Sequence, residues 1–188
     1  MLILLELMMN NAFFPQVNFC FTNEATEVVY AEYFAKREEE LEAIGVDDDY
    51  TNMLYRTAGA AAFDLLLPVD VTLQSGEVTQ VDLGFALDLP EGLAAILMPR
   101  SSNGKPEFRI ALSNTIGLID SDFKHSIRAN FVLEREGSMY LHTGERFAQL
   151  LIIPYVKPNF NKITAVEHFR NVEGTTQRKG SGFGETGK

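Results

Sequence analysis

FAQLLIIP at residues 147–154 is a continuous apolar run, which predicts a buried strand in the centre of a sheet. Residues 81–89 and 127–133 alternate apolar side chains with other residues, which is the period of a half-buried strand. Turn-forming residues separate such segments at Ser75-Gly76, Pro90-Glu91-Gly92, Asn103-Gly104 and Glu136-Gly137. Short strands that follow one another this closely predict an all-β chain of the sandwich, jelly-roll or barrel type.

The pattern changes over residues 23–45, where it predicts a helix. Asn23 suits the N-cap, and the acids Glu24 and Glu27 suit the first turn. Gly45 suits the C-terminal stop. Apolar side chains recur on one face of this helix at Tyr30, Phe34, Leu41 and Ile44. We expect this face to pack on the chain's own β core or on a neighbouring copy; a docking role toward another protein is the alternative.

The chain has 188 residues and is acidic, with 26 Asp and Glu against 16 Lys and Arg and a formal net charge of −10. Residues 24–49 hold ten acids and two bases, so most of the excess belongs to the predicted helix and the loop after it. Asp47, Asp48 and Asp49 in that loop lack the spacing of a calcium site, which favours a solvated turn. Surfaces that bind nucleic acid are basic, so the charge argues against a nucleic-acid partner.

No apolar run approaches the ~18 residues that a membrane span needs. Met1 to Met9 is apolar but short, carries Glu6 and lacks a basic start, which favours a strand or tail over a signal peptide. The single cysteine, Cys20, excludes a disulfide framework and a multi-cysteine zinc site. We therefore expect a cytoplasmic protein without a membrane partner.

These patterns divide the chain into four segments. Residues 1–22 form an N-terminal strand or tail, with VNFCF at 17–21 as a strand candidate, and residues 23–50 form a helical insertion. Residues 51–170 form the β core. Residues 171–188 are small, polar and rich in glycine, and cannot build a core. Composition alone allows two interpretations of this last segment, a frayed terminus or an arm that becomes ordered on a ligand.

Common catalytic patterns are missing from the sequence. There is no GxxxxGK[ST] phosphate loop. The histidines do not have the spacing of a zinc site, and no cysteine pair accompanies them; they are His125, His142 and His168. The sequence therefore argues against these types of site.

Five short segments could carry chemistry: AGAAAFDL (58–65), PRSSNGK (99–105), NTIGLIDSDF (114–123), GERFAQL (144–150) and RKGSGFGETG (178–187). Singly, each has a structural explanation: Asp64 could cap a turn, Arg100 could pair with a carboxylate and Asp120 could end a strand. Together, in this order and at these intervals, they resemble the five motifs of the trimeric dUTPase family (deoxyuridine triphosphate nucleotidohydrolases). The third and fifth segments are the specific ones.

The resemblance implies a jelly-roll subunit of a homotrimer, with active sites that lie between subunits and an arm that closes over them. It implies hydrolysis of dUTP to dUMP and pyrophosphate, with Mg²⁺ on the triphosphate. Two alternatives stay open: the related dCTP deaminase, which shares the fold, and a nucleotide-sensing regulatory protein that uses the 23–45 helix to bind a protein partner.

The resemblance also assigns roles to residues around the phosphates. Asp120 matches the general base, a carboxylate that orients and deprotonates the attacking water. Asp64 matches the acid that acts near the metal through water. Arg146 is expected to be a structural ion-pair partner. The phosphate contacts fall to Arg100, Ser101, Ser102 and Gln149.

The pyrimidine and sugar contacts implied by the resemblance are Asn114, Gly117, Ile119 and Phe123. A glycine at position 117 permits a close approach to uracil, which excludes the thymine methyl group. Phe123 stands where the family usually has Tyr, and its ring should still exclude a 2′-hydroxyl by its bulk. Lys124-His125 replaces a commoner Arg/Gln-Gly pair.

In the arm, Phe183 matches the aromatic residue that stacks on uracil, and Arg178 matches the arginine that binds the γ-phosphate. Gly184 and Thr186 match neighbouring substrate contacts. The arm departs from the family pattern at three positions, where Gly, Gly and Ser are commonest: Lys179, Ser181 and Glu185.

Overall fold

The computed structural model describes residues 16–43, 54–57 and 59–172. Several predictions concern residues outside these ranges: the strand or tail at 1–9, Gly45, the loop at 47–49, and the arm residues Arg178, Phe183, Gly184 and Thr186. They stay predictions.

The described residues form an all-β, jelly-roll-like core. Its strands are β1 (Asn18–Phe21), β2 (Phe63–Leu66), β3 (Val71–Gln74), β4 (Val78–Asp82), β5 (Phe85–Asp88), β6 (Leu93–Pro99), β7 (Ile110–Leu112), β8 (Gly117–Ile119), β9 (Arg128–Leu133), β10 (Ser138–Leu141) and β11 (Arg146–Pro154). They pair antiparallel in four sheets, ordered β1–β5, β10–β3, β4–β9–β7 and β2–β11–β6–β8. The fold class predicted from the sequence is confirmed.

Three of the four predicted strands have the expected form. VNFCF at 17–21 contains β1. The run at 147–154 lies in β11, between β2 and β6, so it is an interior strand of its sheet. In β9, Ala129, Phe131 and Leu133 are buried and the residues between them are not, as a half-buried strand requires.

The stretch 81–89 was expected as one strand, and that prediction is wrong, because the chain forms β4 and β5 with a break between them. Gly84 in the break has a φ of 64°, in the left-handed region, and its N–H donates to Asp82 Oδ1 (3.0 Å). The break lets β4 pair with β9 while β5 pairs with β1. The apolar residues on both sides of the break are nevertheless buried.

The predicted helix is present as α1 (Glu24–Ala43). Asn23 is its N-cap, because Asn23 Oδ1 accepts the Thr26 N–H (2.9 Å). Tyr30 is almost fully buried, stacks on Phe21 with ring centroids 4.7 Å apart, and its hydroxyl accepts the Leu66 N–H (3.2 Å). Burial raises the pKa of the Tyr30 hydroxyl. The apolar face of α1 therefore packs on the chain's own β core.

Close packing also explains why residue 84 is a glycine. A Cβ at Gly84 would lie 1.8 Å from Thr26 Oγ1, so any side chain there would force α1 away from the core. The close packing of α1 on the core therefore depends on the glycine in the break between β4 and β5.

A second helix, α2 (Ala165–Val172), follows the last strand and was not predicted. Thr164 and Glu167 form its capping box: Glu167 Oε2 accepts the Thr164 N–H (2.8 Å), and Thr164 Oγ1 accepts the Glu167 N–H (3.2 Å). It belongs to a second compact unit that begins at Val156, whereas the sequence placed this stretch in a β core to residue 170. Among the described residues, neither helix is long and apolar enough to cross a membrane.

Candidate active site

Asp64, Arg100 and Arg146 meet in an ion-pair cluster beside the end of β6. Asp64 Oδ1 accepts from Arg100 Nε (2.7 Å), and Asp64 Oδ2 accepts from Arg146 Nη1 (3.2 Å). The Asp64 side chain is 15 % exposed, so these charges are partly shielded from water. One carboxylate faces two guanidinium groups, which leaves one excess positive charge at this edge of the sheet. This arrangement can attract an anion.

Hydrogen bonds to the backbone hold this cluster in place. Arg100 Nη1 donates to the Arg146 carbonyl (3.1 Å), and Gln149 Nε2 donates to the Pro99 carbonyl (3.0 Å). Gln149 also lies opposite Asp64 in the β2–β11 pair. The residues that the sequence assigned to motifs one, two and four therefore come together.

The second motif continues into a short 3-10 helix, Ser101–Gly104. Ser101 is exposed and Ser102 is half-buried, and both directly follow Arg100 in the chain. Asn103 is 5 % exposed, and its Nδ2 donates to the Phe147 carbonyl (2.9 Å). Sequence reasoning took Asn103 only as a turn residue. Its amide fastens the serine-bearing turn to β11, and nothing in the local pattern signals this distant partner.

The third motif begins with a tight turn between β7 and β8, which belong to different sheets. The Thr115 N–H donates to the Leu112 carbonyl (2.9 Å), and the Ile116 N–H donates to the Asn114 carbonyl (2.8 Å). Thr115 has a φ of 70°, which is strained for a β-branched residue. Such strain concentrates at functional sites, and no residue pattern signals it in advance. The turn leaves Asn114 exposed.

Gly117 and Ile119 of β8 are constrained by β6. Gly117 lies opposite Leu97, and a Cβ added to it would be 3.1 Å from Leu97 Cβ. Ile119 is 7 % exposed, so its side chain belongs to the core and its backbone is what remains for a ligand. The close approach of β6 and β8 within one chain therefore explains why residue 117 is a glycine.

Asp120 and Phe123 lie on the loop after β8. Asp120 is exposed, and its carbonyl accepts the Phe123 N–H (3.1 Å) in a turn. The Phe123 ring is 40 % exposed and contacts the His125 ring edge-on, with centroids 5.8 Å apart. Both side chains are therefore accessible to a ligand.

Lys124, which departs from the family pattern, ties this loop to β5. Its Nζ donates to Asp88 Oδ1 and to the Leu89 carbonyl (3.4 Å). The hydrogen bond from Lys124 holds the pKa of the Asp88 carboxyl below its usual range. Sequence reasoning left the replacement without an explanation, because Asp88 is 36 residues away along the chain.

Asp120 and Arg100 lie toward opposite ends of β6. Ile119 pairs with Ala95, so Asp120 is level with Ala94 near the start of the strand, whereas Arg100 follows its last residue. Six residues of extended chain separate the two positions by about 20 Å. One chain therefore does not bring Asp120 to the ion-pair cluster.

Comparison with known proteins identifies the family. A family model described as dUTPase matches residues 48–187. The chain belongs to the dUTPase family. The deoxyuridine 5'-triphosphate nucleotidohydrolase of Thiobacillus denitrificans is 40% identical over 137 residues, which cover 71% of this chain and 88% of the relative. The Azotobacter vinelandii enzyme of the same name is 32% identical over 142 residues, or 74% and 89% of the two chains.

Solved structures of dUTPases have the same fold. That of Streptococcus mutans superposes with a TM-score of 0.53 at 26% identity and covers 56% of this chain and 86% of its own. The dUTPase of Staphylococcus bacteriophage 80alpha, solved with dUPNHPP, superposes with a TM-score of 0.68 at 18% identity and covers 93% and 100%.

The acidic side chains of the described residues are compatible with a metal ion that arrives bound to the substrate. In that part of the chain, no three His, Cys, Asp or Glu side chains come together as a protein-built metal cage would need. Both oxygens of Asp64 accept from arginines, so a metal ion there would keep its water shell. Mg²⁺ retains several waters and binds through substrate phosphates, so it needs no protein-built cage of this kind.

Proposed function

We propose that this protein hydrolyses dUTP to dUMP and pyrophosphate, which keeps uracil out of DNA and supplies dUMP. The observation that carries the proposal is the Asp64–Arg100–Arg146 cluster, an excess of positive charge beside Ser101 and Ser102 in a chain of net charge −10. Three motifs of the family supply these residues. A triphosphate is the group of the substrate that such a cluster would attract.

Asp120 is the proposed general base. Its carboxylate accepts a proton from the attacking water and orients that water for in-line displacement at the α-phosphorus. The water oxygen forms a bond to phosphorus, the bond to the bridging oxygen breaks, and pyrophosphate leaves with the bonding electrons. Exposure of Asp120 supports this role, because the carboxylate is open to a bound ligand.

The charge of the triphosphate is balanced by residues at the other end of β6. Arg100, Ser101 and Ser102 donate to phosphate oxygens, and Gln149 lines the same region. Asp64 would hold a water of the Mg²⁺ shell, and the metal when bound neutralises charge on the phosphates. In the arm, Arg178 binds the γ-phosphate, and Gly184 and Thr186 contact the substrate there.

Selectivity for deoxyuridine is proposed to arise at β8 and the turn that precedes it. Asn114 and the backbone of Gly117 and Ile119 read the uracil edge, and cytosine would leave their polar groups unpaired. Phe123 excludes the 2′-hydroxyl by its bulk, and Phe183 of the arm stacks on the base.

We further propose that the sites are shared in a homotrimer. The separation of about 20 Å along β6 supports this, because Asp120 and Arg100 must act on the same triphosphate. A neighbouring copy would bring its Asp120 to the phosphate end of this one.

Pyrophosphate release from each dNTP and from UTP, with and without Mg²⁺, tests the proposal. We expect Mg²⁺-dependent turnover of dUTP and little turnover of the other nucleotides. Equal rates on all nucleotides would overturn the selectivity. Release of ammonia from dCTP would instead favour the deaminase.

A further inference from the structure

A cleft of about 680 Å³ lies between helix α1 and the segment that follows β6. Its floor is apolar and includes Leu66, Ile110, Leu141 and Phe147. Arg100, Ser102 and Arg146 line one side, so the cleft adjoins the ion-pair cluster of the candidate site. Helix α1 forms the opposite wall, so the insertion creates the cleft.

The lining of this cleft is cationic although the chain is acidic. Six bases line it, namely Lys36, Arg37, Arg56, Arg100, Lys105 and Arg146. Three acids accompany them, namely Glu32, Glu40 and Glu145. Asp64 pairs with Arg100 and Arg146 and reduces the excess of three positive charges to two, which still contrasts with the net charge of −10 for the whole chain. An anion would therefore be concentrated here.

Part of this charge is not neutralised by neighbours. Glu40 Oε2 lies 3.5 Å from Arg37 Nη1 and 2.6 Å from Arg56 Nη1, so one carboxylate serves two guanidinium groups. Lys36 and Lys105, which are exposed on opposite walls, form no ion pair with any residue that the structure describes.

Arg37 supplies a second, independent observation. Its Nε is buried and has no hydrogen-bond acceptor within the described part of the chain. Arg37 Nη1 faces Glu40 and its Nη2 donates to the Arg56 carbonyl (2.8 Å), so Nε is the part of this guanidinium left without an acceptor, which is costly for a buried donor.

We propose that this cleft binds a diphosphate group, with Lys36 and Lys105 as its cationic ligands. The cleft shares Arg100 and Arg146 with the phosphate end of the candidate site, so a diphosphate here lies next to the bond that is cleaved. Pyrophosphate released from dUTP is such an anion, and this identification rests on the proposed function. The inserted helix would then set how strongly the product is retained.

Binding of inorganic pyrophosphate to the full-length protein, measured by calorimetry without nucleotide, tests this proposal. We expect Lys36→Gln and Lys105→Gln each to raise the Kd by about threefold to fivefold, and the double variant by about tenfold. Lys36→Arg should keep the wild-type affinity, because it keeps the cation. Lys162→Gln removes an exposed lysine that does not line the cleft and should leave the Kd unchanged.

The same variants distinguish the two sources of the diphosphate group. A rise in the KM for dUTP that follows the Kd would identify the β- and γ-phosphates of the substrate as the occupant. An unchanged KM would identify free pyrophosphate. The proposal is overturned if the wild type binds no pyrophosphate, if both glutamine variants bind it as tightly as the wild type, or if Lys162→Gln weakens it equally. Failure of the wild type to hydrolyse dUTP would overturn only the proposed function, since pyrophosphate binding is measured without it.

Discussion

The two ends of β6 differ in how much of their chemistry is complete within one chain. At the phosphate end, both oxygens of Asp64 are engaged and the Asn103 amide is buried and bonded. At the other end, Asp120 and Phe123 are exposed. The first region is organised before any ligand binds. The second presents its groups outward, as expected if a ligand and a neighbouring copy complete it.

The largest effect is expected at the exposed end. Asp120→Asn keeps the shape of the side chain but removes its ability to accept a proton, so kcat for dUTP should fall by about 10²–10⁴-fold. The melting temperature should not change, because the side chain is exposed. Pyrophosphate release and thermal unfolding measure the two quantities. Asp122→Asn, two residues away, is the matched control and should keep most activity; equal losses in both variants would contradict the assignment of the base.

Mixed oligomers test whether the two ends of β6 act on each other across subunits. Asp120→Asn and Arg100→Gln chains should each form nearly inactive enzymes. When they are unfolded together and reassembled at equal amounts, about a quarter of the sites should receive an intact Asp120 and an intact Arg100 from different chains. Recovery of about a quarter of wild-type activity is therefore expected. No recovery above that of the separate variants would contradict sharing between these two residues.

Local sequence patterns were sufficient to predict the strands and the helix whose apolar residues follow a regular spacing or a continuous run. The run at 147–154 and the alternation at 127–133 predicted β11 and β9, and the N-cap Asn23 predicted the start of α1. The break at Gly84 was missed, because the alternation of buried residues continues across it. Helix α2 was missed although its capping residues, Thr164 and Glu167, stand at the expected spacing.

At the candidate site, sequence reasoning identified residues but not their partners. The resemblance located Asp64 and Arg100, and the ion pair between them was foreseen only as a structural alternative for Arg100. Asn103 and Lys124 were missed because their partners, Phe147 and Asp88, are distant in the chain. Such contacts depend on strand pairing, which a single sequence does not specify.

Removing the buried Asn103 amide at the phosphate end should mainly lower the stability of the fold. Asn103→Ala leaves the Phe147 carbonyl without its donor, so the free energy of unfolding should fall by about 1–3 kcal/mol. The melting temperature should drop by about 2–10 °C. Ser101→Ala, at an exposed neighbour, should reduce turnover but leave the melting temperature unchanged. A stable Asn103→Ala variant would show that the region is less organised than its hydrogen bonds indicate.

The smallest effect is expected for the surface ion pair that holds the loop of the exposed end. Lys124 lowers the pKa of Asp88, so this pair stabilises the folded protein above the ordinary Asp pKa of about 4 and is lost as the pH falls through the lowered value. Asp88→Asn should therefore lower the melting temperature slightly at pH 7, and the difference from the wild type should shrink at acid pH. Because both side chains are exposed, discrimination between dUTP and UTP should change by less than about fivefold. A larger loss of discrimination, without a loss of stability, would mean that Lys124 positions Phe123 over the sugar more tightly than an exposed ion pair allows.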